Sequence, residues 1–197
     1  EAQAKYGDAI PMEMHPLIRS REACYKSSSL AVELAKKFGS RLHVFHISTA
    51  EECELFDNKL ALAEKKITAE ACIHHLWFNS AQYAEKGSLI KWNPAVKDES
   101  DRQAIFNAVL DGRIDVVATD HAPHTATEKA ESCFKAPAGL PLVQHALLTL
   151  FDLAADKQIS VELITDRASH AVADIFGVKD RGYVREGWYA DLVIVDT

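Results

Sequence analysis

An α/β fold built on a parallel sheet is predicted by three observations. Apolar runs of strand length alternate with segments of helical periodicity, and those segments carry capping residues at their ends. The run IDVVATD, 114–120, is apolar almost throughout, as in a strand covered by helices on both faces.

Each element follows from local signals. From Arg19 to Phe38, Ala23, Leu30, Val32, Leu34, Ala35 and Phe38 fall at helical spacing, and Gly39 stands in the C-cap position. RLHVFHI, 41–47, reads as a strand. Ser48 and Thr49 precede Glu51 and Glu52, an N-cap with acidic residues on the helix dipole, and predict a helix to about Leu62. ITAEACIH, 67–74, is a second strand, and GSLIKWNP, 87–94, a third that stops at Pro94. DESDRQAIFNAVLDG, 98–112, is a capped helix closed by Gly112, and 114–120 is the fourth strand. Residues 121–139 lack periodicity and form a long loop, and such loops in compact domains commonly carry function. Leu140–Leu153 and Ser169–Phe176 read as helices.

About four strand–helix alternations precede residue 177, half of the eight in a closed (β/α)8 barrel. Residues 1–176 are therefore expected to form a partial TIM-type barrel. VREGWYADLVIVD changes to β-rich alternation, so 177–197 are expected to begin a small β-rich subdomain. The chain starts at Glu1 and ends directly after the apolar run DLVIVD, and is expected to be a fragment of a longer protein.

A formal charge of −7 and a pI near 5.7 argue against a nucleic-acid partner. No apolar run approaches the roughly 18–20 residues that span a bilayer, and the first residues form no signal peptide. Cys24, Cys53, Cys72 and Cys133 form no CxxC pair and are read as buried or incidental thiols of a reducing compartment, the cytoplasm.

Three strands end in metal-capable side chains: His46 after RLHVF, His74 and His75 after ITAEACI, and Asp120 after IDVVAT. In a βα architecture the C-terminal strand ends share one face, where neutral imidazoles and a carboxylate suit zinc or a similar divalent ion. This set supplies three ligands, and no HxH pair occurs to complete a binuclear site. Read singly, a strand-end His is as well explained by hydrogen bonding, and a strand-end Asp by a turn.

TDHAPH, 119–124, is the most specific string. Together with HVFHIST (43–49), HHLWFN (74–79), WNPAVKDESDR (92–102) and REGWYADLVIVD (185–196), it resembles the dihydroorotase family of the amidohydrolase superfamily, in order over nearly the whole chain. The resemblance implies the second half of the barrel, with the remaining metal ligands outside this segment. It implies His46 and His75 as ligands of one zinc of a binuclear pair, and Asp120 as ligand of the other and as proton shuttle. His124 is implied to bind the substrate carboxylate, Asn93 the ring, and the backbone around Pro137 and Gly139 the substrate. Lys97, Ala95 and Ala138 depart from common family residues. The implied reaction is the reversible closure of N-carbamoyl-L-aspartate to dihydroorotate, a step of pyrimidine synthesis, in a cytoplasmic protein that is often a homodimer. A hydantoinase or allantoinase on the same metal face, or a noncatalytic homologue, are the alternatives.

Of the remaining groups, alternation along the strand turns His43 away from Val44 and His46, and His43 is read as structural. His74 is expected to pack beside a ligand and His121 to orient Asp120. His15, held extended by Pro16, is read as a surface residue or one near the site mouth, and Arg19 and Arg21 as helix-start charges.

Overall fold

The computed structural model describes residues 2–7 and 9–196. Short helices α1 (Ala2–Tyr6) and α2 (His15–Ile18) lead into α3 (Arg21–Phe38). The Ser20 hydroxyl accepts from Ala23 N at the start of α3, and Gly39 closes it at φ 65°, the left-handed conformation glycine adopts without a Cβ penalty. Ser28, Val32 and Ala35 form its buried face, whereas Leu30, Leu34 and Phe38 lie exposed.

Strand β1 (Leu42–Val44) leads to α4 (Ala50–Cys53), far shorter than the helix expected to Leu62. Asp57 explains the stop: its Oδ1 accepts from Lys59 N at 2.7 Å, a turn that competes with helical hydrogen bonding. Strand β2 (Ile67–Cys72) ends two residues early because Ile73–Trp77 coils into α5. After α6 (Tyr83–Lys86), the expected strand 87–94 is instead a 3-10 turn over Gly87–Ile90. Gly87 at φ 54° starts that turn and the bond from Lys91 N to Ser88 O, 3.1 Å, closes it. Helix α7 (Glu99–Asp111) has its expected bounds, with Asp98 at the N-cap and Gly112 at φ 85°.

Strand β3 (Val116–Ala118) runs into the long loop, which contains one helical turn, α8 (Ala126–Lys129). The helix expected from Leu140 starts only at His145, as α9 (His145–Ala155), because Leu140 pairs in a bridge with His121. Helix α10 (Val161–Thr165), a π-helical turn and α11 (Ala171–Phe176) follow. Among the described residues, 178–196 form no β-ladder: Val184, Leu192, Val193 and Ile194 are exposed, and a strand exists only where a neighbour takes its backbone groups. No helix of the described residues is long and apolar enough to cross a membrane.

The sheet is parallel in the order β1-β2-β3, with Leu42 opposite Ile67 and Cys72 opposite Ala118. Helices α4 and α5 pack on α7 outside it, over a core that includes Ile47, Ala69, Leu76, Trp92, Val109 and Ile114. Parallel strands in sequential order, joined by helical crossovers, bring their C-terminal ends to one face. At the opposite end Lys65 Nζ meets Asp115 Oδ1 at 2.6 Å, both side chains buried.

His15 is not at the surface. It is 4% exposed, with Nε2 2.7 Å from Trp92 O. Burial, with Lys91, Arg19 and Lys97 adding to it, holds its imidazole down to about 4. The unfolded chain takes up this proton near pH 6.5, so the unfolded state binds more protons between pH 6.5 and 4. Stability present above pH 6.5 is therefore lost as the pH falls toward 4, by an amount on the order of 3 kcal/mol from this residue. Urea unfolding at pH 7 and pH 4.5 is expected to show that loss, and His15→Gln to flatten the dependence.

Candidate active site

The two strand-end candidates are built alike. His46 stands two residues past the end of β1 and Asp120 two residues past the end of β3, at φ 41° and 48°. A side chain in the left-handed region costs on the order of 1–2 kcal/mol, and such backbone persists where the surroundings impose it. Beyond His46 the sheet resumes its hold, with Ile47 N donating to Glu70 O at 2.9 Å.

The turn after His46 is fixed by Glu52, which is 3% exposed. Its carboxylate accepts from Ser28 Oγ at 2.5 Å, Thr49 Oγ1 at 3.0 Å, Ser48 N at 3.2 Å and Ser48 Oγ at 3.3 Å. Ser48 and Thr49, just beyond Ile47, thus tie the backbone after His46 to α3 and α4. Sequence reasoning missed this role and took Glu52 only as a charge on the helix dipole.

His46 and Asn93 line one cavity of about 490 Å³, with Arg19, His43, Glu52 and Pro94 also in its wall. His43 is structural as expected, with Nδ1 2.8 Å from Thr68 Oγ1 and Nε2 3.1 Å from Glu70 Oε2 across the β1–β2 ladder.

His75 is placed differently from the other two candidates. Helix α5 carries it and His74 into the interior, at 2% and 0% exposure. His75 Nε2 lies 3.3 Å from Pro94 O, and its Nδ1 is buried without a partner. Burial, with Lys97 nearby, holds its imidazole down to about 3; burial, with the His75 and His46 rings adding to it, holds that of His74 well below the ordinary histidine value, and His74 stacks on Trp92 at 4.2 Å. Among the described residues no three His, Cys, Asp or Glu side chains stand close enough together to hold a metal ion. His46, His75 and Asp120 thus form no three-residue cluster among the described residues. Strand spacing gives the reason: β1 and β3 flank β2, which sets them about 10 Å apart, and α5 turns His75 inward.

The long loop brings the other candidates together. His124 Nε2 lies 3.2 Å from Ala138 O, so the ring touches the segment Ala136–Gly139. Gly139, at φ 118°, passes so close to Ala122 that a Cβ there would sit 2.5 Å from the Ala122 methyl. His121 does not orient Asp120: its Nδ1 accepts from Val143 N at 3.0 Å.

Residues 24–197 match the model of the amidohydrolase family. The chain belongs to this family. It is similar to a dihydroorotase of Halobacterium salinarum, 38% identical over 90% of this chain and 41% of that protein. An allantoinase of Bacillus velezensis is 29% identical over 99% of this chain and 43% of that protein. Among solved structures, the dihydropyrimidinase from Brevibacillus agri superposes with a TM-score of 0.83 at 22% identity, over 95% of this chain and 42% of that one. The amidohydrolase chain thus spans about two fifths of the length of the curated relatives it matches.

This amidohydrolase chain offers a partial donor set for a metal. His46 is an imidazole and Asp120 a carboxylate, each partly exposed at a strand end, and the spare His75 Nδ1 is a third nitrogen with no other partner. Imidazole and carboxylate are the ligands a divalent zinc site takes. Two such donors at separate strand ends fit a site whose other ligands come from elsewhere in the protein.

Proposed function

We propose that the intact protein is a metal-dependent cyclic amidohydrolase that interconverts dihydroorotate and N-carbamoyl-L-aspartate. One observation carries the reading: a chain 38% identical to a dihydroorotase has His46 and Asp120 just past the ends of two of its parallel strands, both in left-handed backbone. Residues 1–176 are proposed as the second half of a (β/α)8 barrel, supported by three parallel strands in sequential order with an open edge at β1. Residues 177–197 are proposed as the start of the β-rich subdomain.

His46, His75 and Asp120 are the proposed ligands of a binuclear zinc site, His75 through the Nδ1 that has no other partner. When bound, the metal pair supplies the positive charge that polarises the amide carbonyl and lets water lose a proton near neutral pH. Asp120 accepts that proton as water adds to the carbonyl carbon. It then delivers the proton to the ring nitrogen as the C–N bond breaks, so one carboxylate serves as base and acid. The carbonyl carbon becomes a carboxylate, and the nitrogen becomes the end of the carbamoyl group.

His124, Asn93 and the backbone near Pro137 and Gly139 are proposed to hold the substrate, with His124 on its carboxylate. His124→Ala is expected to raise the KM for dihydroorotate by about 10- to 100-fold with metal content unchanged. Falling zinc stoichiometry at constant KM would show that His124 belongs to the metal instead.

A second reading is favoured by the allantoinase and dihydropyrimidinase similarities: the same face opening a different cyclic amide. Assaying the intact protein on dihydroorotate, hydantoin and allantoin separates the two. Preference for dihydroorotate supports the first reading, and preference for either of the others the second. Bound metal without turnover of any ring would favour a noncatalytic homologue.

A further inference from the structure

The segment Ala136–Gly139 has no regular secondary structure, yet each of its four carbonyl oxygens is taken by a side chain. Lys91 Nζ donates to Ala136 O. Lys129 Nζ donates to Pro137 O at 3.0 Å and Gly139 O at 3.1 Å, and His124 holds Ala138 O. Lys91 Nζ also donates to Cys133 O at 2.7 Å, and Lys91 O accepts from both Gly139 N at 2.9 Å and Lys129 Nζ at 3.3 Å.

The lysines are 8% and 1% exposed, and among the described residues neither side chain pairs with a carboxylate. Burying two unpaired cations side by side is unfavourable unless their N–H groups are well used. For Lys129 they are: an ammonium has three N–H donors and no acceptor, and three carbonyls surround it. Burial, with Lys91 beside it, holds its amine down to about 8, so at pH 7 the third proton is retained. The other groups facing the pair are the Cys133 thiol, which burial pushes up, and Arg19 toward Lys91.

A helix or strand would satisfy the same carbonyls but would also consume the amides. Here the carbonyls turn to lysines, while among the described residues the Ala138 N–H donates to no acceptor. We infer that Lys91 and Lys129 are positioning residues that clamp Ala136–Gly139 by its carbonyls, leaving the Ala138 amide and the His124 ring for the anionic group of a cyclic amide substrate. This rests on the proposed reaction only for the identity of the substrate. The clamp itself stands on the hydrogen bonds.

The test uses Lys129→Met, which keeps the length of the side chain without its donors, and Lys129→Arg, which keeps charge and donors, both in the intact protein. Amide hydrogen exchange over residues 132–140 is expected to rise about tenfold in Lys129→Met and to be largely restored in Lys129→Arg. KM for dihydroorotate is expected to rise about 10- to 100-fold in Lys129→Met, with a clearly smaller change in kcat. Unchanged exchange overturns the clamp. Raised exchange with unchanged KM overturns the positioning role and leaves a scaffold contact. If Lys129→Met does not fold, Lys91→Gln carries the same test, since Lys91 Nζ holds Ala136 O and Cys133 O and a shorter neutral amide cannot bond both. Unaltered exchange and KM in that variant would overturn the inference. A wild-type protein that opens no ring overturns the proposed reaction and the substrate half of the inference, while the exchange measurement still decides the clamp.

Discussion

Asp120→Asn is expected to lower turnover of dihydroorotate by roughly 10²- to 10⁴-fold in the intact protein, with the urea midpoint unchanged. The substitution is close to isosteric, and Asn tolerates the left-handed backbone of this position as well as Asp does. What it removes is a group that can hold a proton and release it. A stability loss accompanying the activity loss would point to a structural carboxylate. Turnover within about threefold of wild type would remove Asp120 from the reaction altogether. Metal analysis of the same variant separates its two proposed roles: zinc retained with turnover lost isolates the proton shuttle, and zinc lost makes Asp120 chiefly a ligand.

How much of this was legible depends on how local the determinants are. Helices α3 and α7 were readable because Ser20, Gly39, Asp98 and Gly112 cap them through residues a turn away. Strands β1, β2 and β3 were located but overextended, because their ends turn into left-handed residues or into α5, which apolar character does not reveal. The misread strand at 87–94 has the same cause: Ile90 and Trp92 are buried as strand residues would be, but burial belongs equally to a 3-10 turn packed in a core. Helix α10 escaped notice although Ser160 caps it, its Oγ accepting from Leu163 N at 3.2 Å.

Of the proposed site, the placement of His46 and Asp120 past strand ends was readable because such a position is set by the strand itself. His75 lies not at a strand end but in α5, since a helix begins where the strand was expected to continue. Glu52, Lys91 and Lys129 were invisible for a different reason. Their partners lie 24 residues away for Glu52 with Ser28, and 38 for Lys129 with Lys91, distances that only the fold closes.

Lys65→Met is expected to destabilise the protein by about 3–5 kcal/mol, the cost of leaving one charge of a buried pair alone. Lys65 precedes β2 and Asp115 precedes β3, and Lys65 Nζ also donates to Gly112 O at 2.7 Å, so one ammonium joins two strands to the end of α7. Asp115 completes the link by accepting from Ala69 N at 3.1 Å. Against a total stability of about 5–15 kcal/mol, that loss moves the urea midpoint far. Replacing both residues with apolar ones removes the stranded charge but still orphans Ala69 N–H and Gly112 O, so a Lys65→Met, Asp115→Leu pair is expected to recover only part of the loss. A single-variant cost under about 1 kcal/mol would show that the pair is solvated in solution. The pair sits at the sheet end opposite His46 and Asp120, so below its melting point Lys65→Met is expected to keep wild-type kcat/KM. Stability held at the N-terminal strand ends and chemistry at the C-terminal ends would then be separable by mutation, as the division of labour in a βα architecture requires.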